Sequence, residues 1–383
     1  MKIAISAGEE SGDILGSDLI DSLRDYKNDI EFIGLGGEKM KEKGLKPLFP
    51  FEEISKIGLI EPLFSLKNLL RRRKQLIDYI IDEQPDVFIG VDSPSFNLGI
   101  SKRLKLKTKI KTIQYVCPQI WAWRKKRIRK FSNYLDHIFC LYKFETKILK
   151  NHNLESSFVG HPLAKKIELE INKEKYKDHL NLDRSKTHVA LLPGSRDSEI
   201  KKHIDDLLSM VSHYKNHNPK IKFILALTKN SRKYCFEEKM KELDNLSIFY
   251  DDTKNVLSAS DFSIIASGTA TLEAALCKTP MFVIYKTNFL SYFILSRLIY
   301  SKFISLPNIL SEKKIVKELL QSQVNFNNLV YELDILMNED NKEMKLNFEN
   351  LHRSLINDNQ SKFLSVIESV SYTHLRAHET EPD

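Results

Sequence analysis

Short apolar runs alternate with stretches of helical periodicity along most of the chain. Residues 2–7 form the first run and read as a strand. A helix is expected to follow over about 13–27, with Ser11 or Asp13 as its N-cap. Residues 31–34, 87–91, 111–116 and 137–141 read as further strands. Helical spacing covers 63–83, about 96–106, and stretches starting near 124 and 144. The pattern weakens between 160 and 186, where Gly160-His161-Pro162 turns the chain. It then restarts with strands at 188–192, 222–227, 246–250, 262–266 and 281–285, and a helix over 198–216. From Lys313 onward the spacing is helical.

Repeated strand–helix alternation implies parallel sheets with right-handed crossovers. At 383 residues the chain suits two domains rather than one. The expectation is therefore α/β, with two doubly wound Rossmann-like domains. One covers 1–160 and the other 187–320, and helices of about 340–370 rejoin the first. Ligands of such sheets bind beyond the carboxyl ends of the strands, so two domains facing a cleft bring two substrates together. Residues 371–383 change character abruptly and read as a non-native tail, outside the fold.

Charge narrows the partners. The 59 Lys and Arg exceed the 51 Asp and Glu, for a net charge of +8, which favours anions: nucleic acid, anionic lipid or phosphorylated substrates. The four cysteines, Cys117, Cys140, Cys235 and Cys277, are scattered without a CxxC pair. They read as small buried residues in a reducing compartment rather than as a disulfide or zinc framework. No signal peptide is expected, and no apolar run approaches the ~20 residues of a membrane-spanning helix.

Five loops carry candidate chemistry. Ala7-Gly8-Glu9-Glu10-Ser11-Gly12-Asp13 sits where a phosphate loop would, but its glycines do not make a GxGxxG or Walker pattern. Its three carboxylates would repel phosphate, so hydroxyl recognition or proton acceptance fits better; helix capping is the competing role. Asp92 ends the apolar strand 87–91, where partial burial raises basicity. It suits a base that takes a proton from a sugar hydroxyl, or a cap for the next helix.

Trp121 and Trp123, the two tryptophans of the chain, adjoin Arg124 and Arg127 in a run where six of residues 124–130 are basic. Such a run stacks on a sugar, binds phosphate, sits at a lipid headgroup layer, or is simply a solvated helix. Pro193-Gly194-Ser195-Arg196 is a tight turn whose Arg196 suits a diphosphate, or a pairing with Glu199. Ser267-Gly268-Thr269-Ala270-Thr271 ends a strand and opens a helix. Free N–H groups and two hydroxyls would face an anion there, with Glu273 one turn on, in reach of a ribose. Capping by Ser267 or Thr269 is the alternative. Two apolar, basic segments, 57–74 and 289–303, suit a bilayer surface or ordinary core helices.

No DxD occurs, so no metal clamp on a nucleotide diphosphate is expected, and neither GxSxG nor HExxH is present. Helix ends and arginines would neutralise the leaving group instead.

Taken together, AGEESGD, GLIEPL, VFIGVDSPSFN, YVCPQIWAWR, FVGHP, LLPGSR, ASGTATLE and SLPN resemble the lipid-A-disaccharide synthase family. They run in order over about 1–320. The family's usual APDF reads SPSF here, and its SPS reads CPQ. The resemblance implies a metal-independent GT-B glycosyltransferase without cofactor. The donor is then UDP-2,3-diacylglucosamine and the acceptor 2,3-diacylglucosamine 1-phosphate. It also implies peripheral attachment to the cytoplasmic face of an inner membrane. By matching motif, Asp92 is the implied base, with Glu9 beside it. Arg196, Ser267, Gly268, Thr269, Thr271, Glu273 and Asn308 are implied to hold the donor, and Trp121, Trp123, Arg124 and Arg127 the acceptor or lipid. A homodimer is left open. The rival readings are another nucleotide-sugar enzyme, such as a UDP-sugar 2-epimerase or a transferase acting on a peptidoglycan precursor, and a basic nucleic-acid-binding protein. Against the last, the aromatics do not interleave with the basic residues, and the ASGTATLE loop has no job.

Overall fold

The computed structural model describes residues 1–25, 27, 29–55, 62–118, 128–229, 240, 242–287, 302–357 and 361–372. Trp121, Trp123, Arg124, Arg127, Cys235 and most of 289–303 lie outside them. The chain divides into two compact units, 1–162 with 357–383, and 163–356.

Among the described residues the first unit holds a seven-stranded sheet in the order β3-β2-β1-β4-β5-β6-β7. The strands are β1 (Lys2–Ala7), β2 (Glu31–Leu35), β3 (Leu45–Pro47), β4 (Val87–Val91), β5 (Lys111–Tyr115), β6 (His137–Cys140) and β7 (Ser156–Phe158). Every pairing is parallel. Every residue of β4 is buried because helices cover both faces, as a parallel sheet requires. On one face, α1 (Glu10–Arg24) contributes Leu19, Ile20 and Leu23, beside Phe363 and Ile367 of the C-terminal helix Ser361–Tyr372. The short helix α2 (Glu38–Glu42) follows β2. The other face is covered by the helix Pro62–Glu83 through Leu76, Ile77 and Ile80, and by the helix Pro94–Lys107 through Phe96, Ile100 and Leu104.

The second unit holds a six-stranded sheet, β10-β9-β8-β11-β12-β13, again parallel throughout. Its strands are β8 (Thr187–Leu192), β9 (Ile221–Leu227), β10 (Leu246–Tyr250), β11 (Phe262–Ala266), β12 (Met281–Tyr285) and β13 (Lys317–Leu320). The helix Asp197–His217 buries Ile200, Ile204, Leu207 and Val211 against this sheet, with Leu329 and Leu333 of Phe326–Asn338. Both expected sheets are thus present.

Three short edge or near-edge strands, β3, β7 and β13, escaped the periodicity. Lys317–Leu320 (KELL) reads as helix by spacing, yet it pairs along β12. Sequence placed the return to the first domain at about 340. In the units it comes at Asn357, because Lys342–Leu355 buries Phe348, Leu351 and His352 within the second.

Candidate active site

In the first unit, the loops after β1 and β4 meet. The Ser11 hydroxyl donates to the Asp92 carboxylate at 2.9 Å. Gly8 and Gly12 permit this approach: a Cβ on Gly8 would lie 3.0 Å from Ser93 Oγ, and one on Gly12 3.3 Å from the Val91 carbonyl. Asp92 is half-buried and left-handed, with φ of +50°. Ser93 follows at +39°, and Val116, just past β5, stands at +75°. Left-handed backbone is uncommon away from glycine and an outlier for a β-branched residue, so strain gathers at the carboxyl ends of β4 and β5. Glu9 is exposed and occupies the N-cap position of α1, without a side-chain cap bond.

Asp13 takes no part in capping α1, contrary to the expected N-cap. It is buried in the first turn of the helix, and its carboxylate accepts from the backbone N–H groups of Gly37 (2.7 Å), Lys39 (3.1 Å) and Met40 (3.2 Å). It therefore caps α2, and hydrogen bonds to a charged group contribute about 1.5–3 kcal/mol each. Only Glu9 and Glu10 of the three acids remain at the loop.

In the second unit, the LLPGSR turn is anchored by a residue that motif reading passed over. His203 is buried, its Nδ1 pairs with the Pro193 carbonyl at 2.9 Å, and its Nε2 accepts from the Lys286 N–H at 3.1 Å. Burial lowers its proton affinity, which suits a neutral ring donating at one nitrogen and accepting at the other. The turn needs Gly194, at φ of +125°, where a Cβ would fall 2.6 Å from Glu199 Cβ. Arg196 is exposed and lies 3.7 Å from Glu199, the pairing that competed with a diphosphate role. An exposed pair of this kind contributes little, so the guanidinium gives up little by turning to another anion.

The SGT loop and the SLPN loop are brought together. Ser267 Oγ donates to the Ile304 carbonyl at 2.8 Å. Thr271 is fully buried, donating to the Gly268 carbonyl at 2.8 Å and accepting from the Leu306 N–H at 3.2 Å. The hydroxyls of Ser267 and Thr271 are thus engaged within the protein, and of the Ser-Gly-Thr pair only that of Thr269 stays at the exposed end. Gly268 and Thr269 are exposed at the start of the helix Thr269–Leu276, which has no side-chain cap bond. A Cβ on Gly268 would meet nothing within 4 Å, so the glycine leaves this end open.

Asn308 is fully buried, with both ends of its amide used. Nδ2 donates to the Val316 carbonyl and to Glu318, and Oδ1 accepts from Ile315 and Val316. Glu318 also takes the Ser305 N–H and hydroxyl. Instead of facing a ligand, Asn308 fixes the shape of the SLPN loop against the SGT loop.

Glu273 is half-buried, and burial raises its carboxyl to about 7 against a smaller opposing effect of Lys254. An acid raised above its ordinary 4.5 holds a proton in the fold between about 4.5 and 7 that the unfolded chain has released. Stability therefore falls as pH rises through that window. Glu273→Gln is expected to melt a few degrees above the wild type at pH 8 and together with it at pH 4.5. Equal melting at pH 8 would mean that the ionised carboxylate is well solvated.

Among the described residues, Cys117, Cys140 and Glu145 are buried with their ligand-type atoms within 4.8 Å of one another. Contact with Cys140, and then burial, hold the Cys117 thiol well above its usual range. Glu145 accepts the Tyr142 N–H at 3.2 Å. Cys117, Cys140 and Cys277 are unbridged. No helix of the described residues is long and apolar enough to cross a membrane.

Comparison with solved structures finds the same architecture. A UDP-GlcNAc 2-epimerase from Neisseria meningitidis bound to UDP-GlcNAc superposes with a TM-score of 0.64 at 14% identity, over 95% of this chain and 98% of that one. Acinetobacter baumannii MurG gives 0.55 at 10% identity, over 96% of this chain and 99% of that one. At such identities these likenesses establish the fold. The sequence relatives are more similar. A lipid-A-disaccharide synthase of Francisella philomiragia is 40% identical over 377 residues, 97% of this chain and 99% of that one. One of Pseudomonas paraeruginosa is 40% identical over 360 residues, 94% and 95% of the two chains. A family model described as lipid-A-disaccharide synthetase matches residues 3–367. With the family's model spanning nearly the whole chain and two-fifths identity to its members, this chain belongs to the lipid-A-disaccharide synthase family of glycosyltransferases.

Proposed function

We propose that the protein transfers 2,3-diacylglucosamine from UDP-2,3-diacylglucosamine to the 6-hydroxyl of 2,3-diacylglucosamine 1-phosphate. Asp92 takes the hydroxyl proton as the oxygen attacks the anomeric carbon from the face opposite UDP. The new C–O bond forms as the bond to the diphosphate breaks, and the electron pair leaves with UDP. One displacement of this kind inverts the centre, so the product is the β-1,6 disaccharide 1-phosphate.

The observation that carries this reading is Asp92 itself. It is a half-buried carboxylate at the carboxyl end of β4, oriented by Ser11 and set in strained backbone. In this reading the first unit takes the acceptor, with Glu9 near its sugar and Trp121, Trp123, Arg124 and Arg127 toward its lipid. The second takes the donor. Arg196 and the open start of Thr269–Leu276, with Gly268 and Thr269, hold the diphosphate by charge and free N–H groups. Glu273 holds the ribose. Ser267, Thr271 and Asn308 support this loop from behind, through the bonds described above. Attachment to a membrane surface follows from the acylated substrates and the basic charge, and needs no spanning helix.

The test is UDP release from UDP-2,3-diacylglucosamine in detergent, with EDTA, with and without the acylated glucosamine 1-phosphate. Release that needs the acceptor and survives EDTA is the expected result. Acceptor-independent consumption of the UDP-sugar would favour epimerase chemistry, and no turnover by folded protein would sink the transferase reading.

A further inference from the structure

We infer that Asn97 and Gln114 are positioning residues that set the direction of the Asp92 carboxylate by clamping its backbone carbonyl; this rests on the assignment of Asp92 as the base.

Asp92 and Ser93 are consecutive non-glycine residues in the left-handed region, at φ of +50° and +39°. Such a pair persists only where the surroundings over-determine it. Two amides do so here. Asn97 Nδ2 donates to the carbonyls of Ser6 (3.1 Å), Val91 (3.0 Å) and Asp92 (2.9 Å). Gln114 Nε2 donates to the carbonyls of Asp92 (3.0 Å) and Tyr115 (3.3 Å). The Asp92 carbonyl thus receives donors from two side chains, one on the helix after β4 and one on β5. Its own N–H is tied to the Tyr115 carbonyl at 2.9 Å.

The orientation of both amides follows from chemistry. Every partner of each nitrogen is a carbonyl oxygen, so a flipped amide would set oxygen against oxygen. The opposite ends, Asn97 Oδ1 and Gln114 Oε1, are buried and find no partner among the described residues. The two side chains are therefore placed for their donors. Gly90 makes the room: a Cβ there would lie 2.7 Å from Asn97 Cβ and 2.9 Å from Gln114 Oε1. Asn97 and Gln114 are both fully buried, out of reach of a substrate, so any effect on turnover passes through Asp92.

Gln114→Met keeps the approximate shape and removes the donors, and Asn97→Leu does the same at the second clamp. Each is expected to lower kcat at least tenfold per folded molecule, with KM for donor and acceptor changed by less than about threefold. In an Asp92→Asn background Gln114→Met is expected to cost nothing further, because its route to the reaction is already cut. A purely structural role would lower the melting temperature, leave kcat per folded molecule intact and add normally in the double variant. Gln114→Ala, which leaves space for solvent to reach the carbonyl, serves if the Met variant does not fold. Normal kcat in the Gln114 variants with Asp92→Asn inactive would overturn the positioning role and leave the base in place. Near-normal turnover by Asp92→Asn would overturn both.

Discussion

Asp92→Asn is expected to lower kcat by about 10²–10⁴, the usual contribution of a positioned general base, with KM for both substrates changed little. The substitution is isosteric, and what holds this turn in place is the backbone of residue 92, not its carboxylate. The Asp92 carbonyl is bonded by Asn97 and Gln114, and its N–H by Tyr115. The melting temperature should therefore barely move, which separates lost chemistry from lost structure. Among the described residues the carboxylate's bond is the one from the Ser11 hydroxyl, and an amide oxygen accepts that as well. Arg196→Ala offers the contrast. As an exposed side chain, it should raise KM for the UDP-sugar well before it disturbs stability. Near-normal kcat in folded Asp92→Asn, with a large loss in Glu9→Gln, would transfer the role of base to Glu9.

What was legible in the sequence is what depends on local pattern. Buried parallel strands such as Val87–Val91 are continuous apolar runs, and glycine-bearing loops after them mark the carboxyl ends where ligands bind. The misreadings concern partners far off in sequence. Asp13 looks like the N-cap of its own helix, but its partners begin 24 residues on, at Gly37. The one hint was Gly36-Gly37 before a short helix lacking a capping residue of its own. Asn308 looks like a ligand-facing amide in SLPN, whereas Val316 and Glu318 saturate it. Its partner Glu318 lies in β13, a strand whose charged residues disguise it as helix, and Ile315 and Val316 directly precede that strand. His203 carries no motif at all, and only its two bonds to Pro193 and Lys286 reveal that it pins the LLPGSR turn. Local sequence thus identifies which loops matter, while long-range hydrogen bonds decide which residues in them face outward.

Two buried imidazoles of the first unit are expected to make the protein lose stability from about pH 6.5 downward, before most carboxylates titrate. His137 and His161, both in the first unit, are 7% and 6% exposed, and burial brings each down from 6.5 to about 4. A base depressed in the fold is protonated first in the unfolded chain. Between pH 6.5 and 4 the unfolded state therefore binds more protons, and stability falls as pH falls. Fully expressed, each ring accounts for about 3 kcal/mol, and the two together rival the 5–15 kcal/mol that holds a typical domain folded. In the second unit His188, His203 and His352 shift in the same direction, but Glu273 runs the opposite way and offsets part of the loss. Scanning calorimetry between pH 7.5 and 4.5 should therefore show the melting temperature moving down as pH falls. His137→Gln, which keeps a partner for Ser157 but cannot titrate, should flatten that movement. A melting temperature independent of pH from 7.5 to 5 would mean that the rings accept protons in place, and so that solvent reaches them in the folded state.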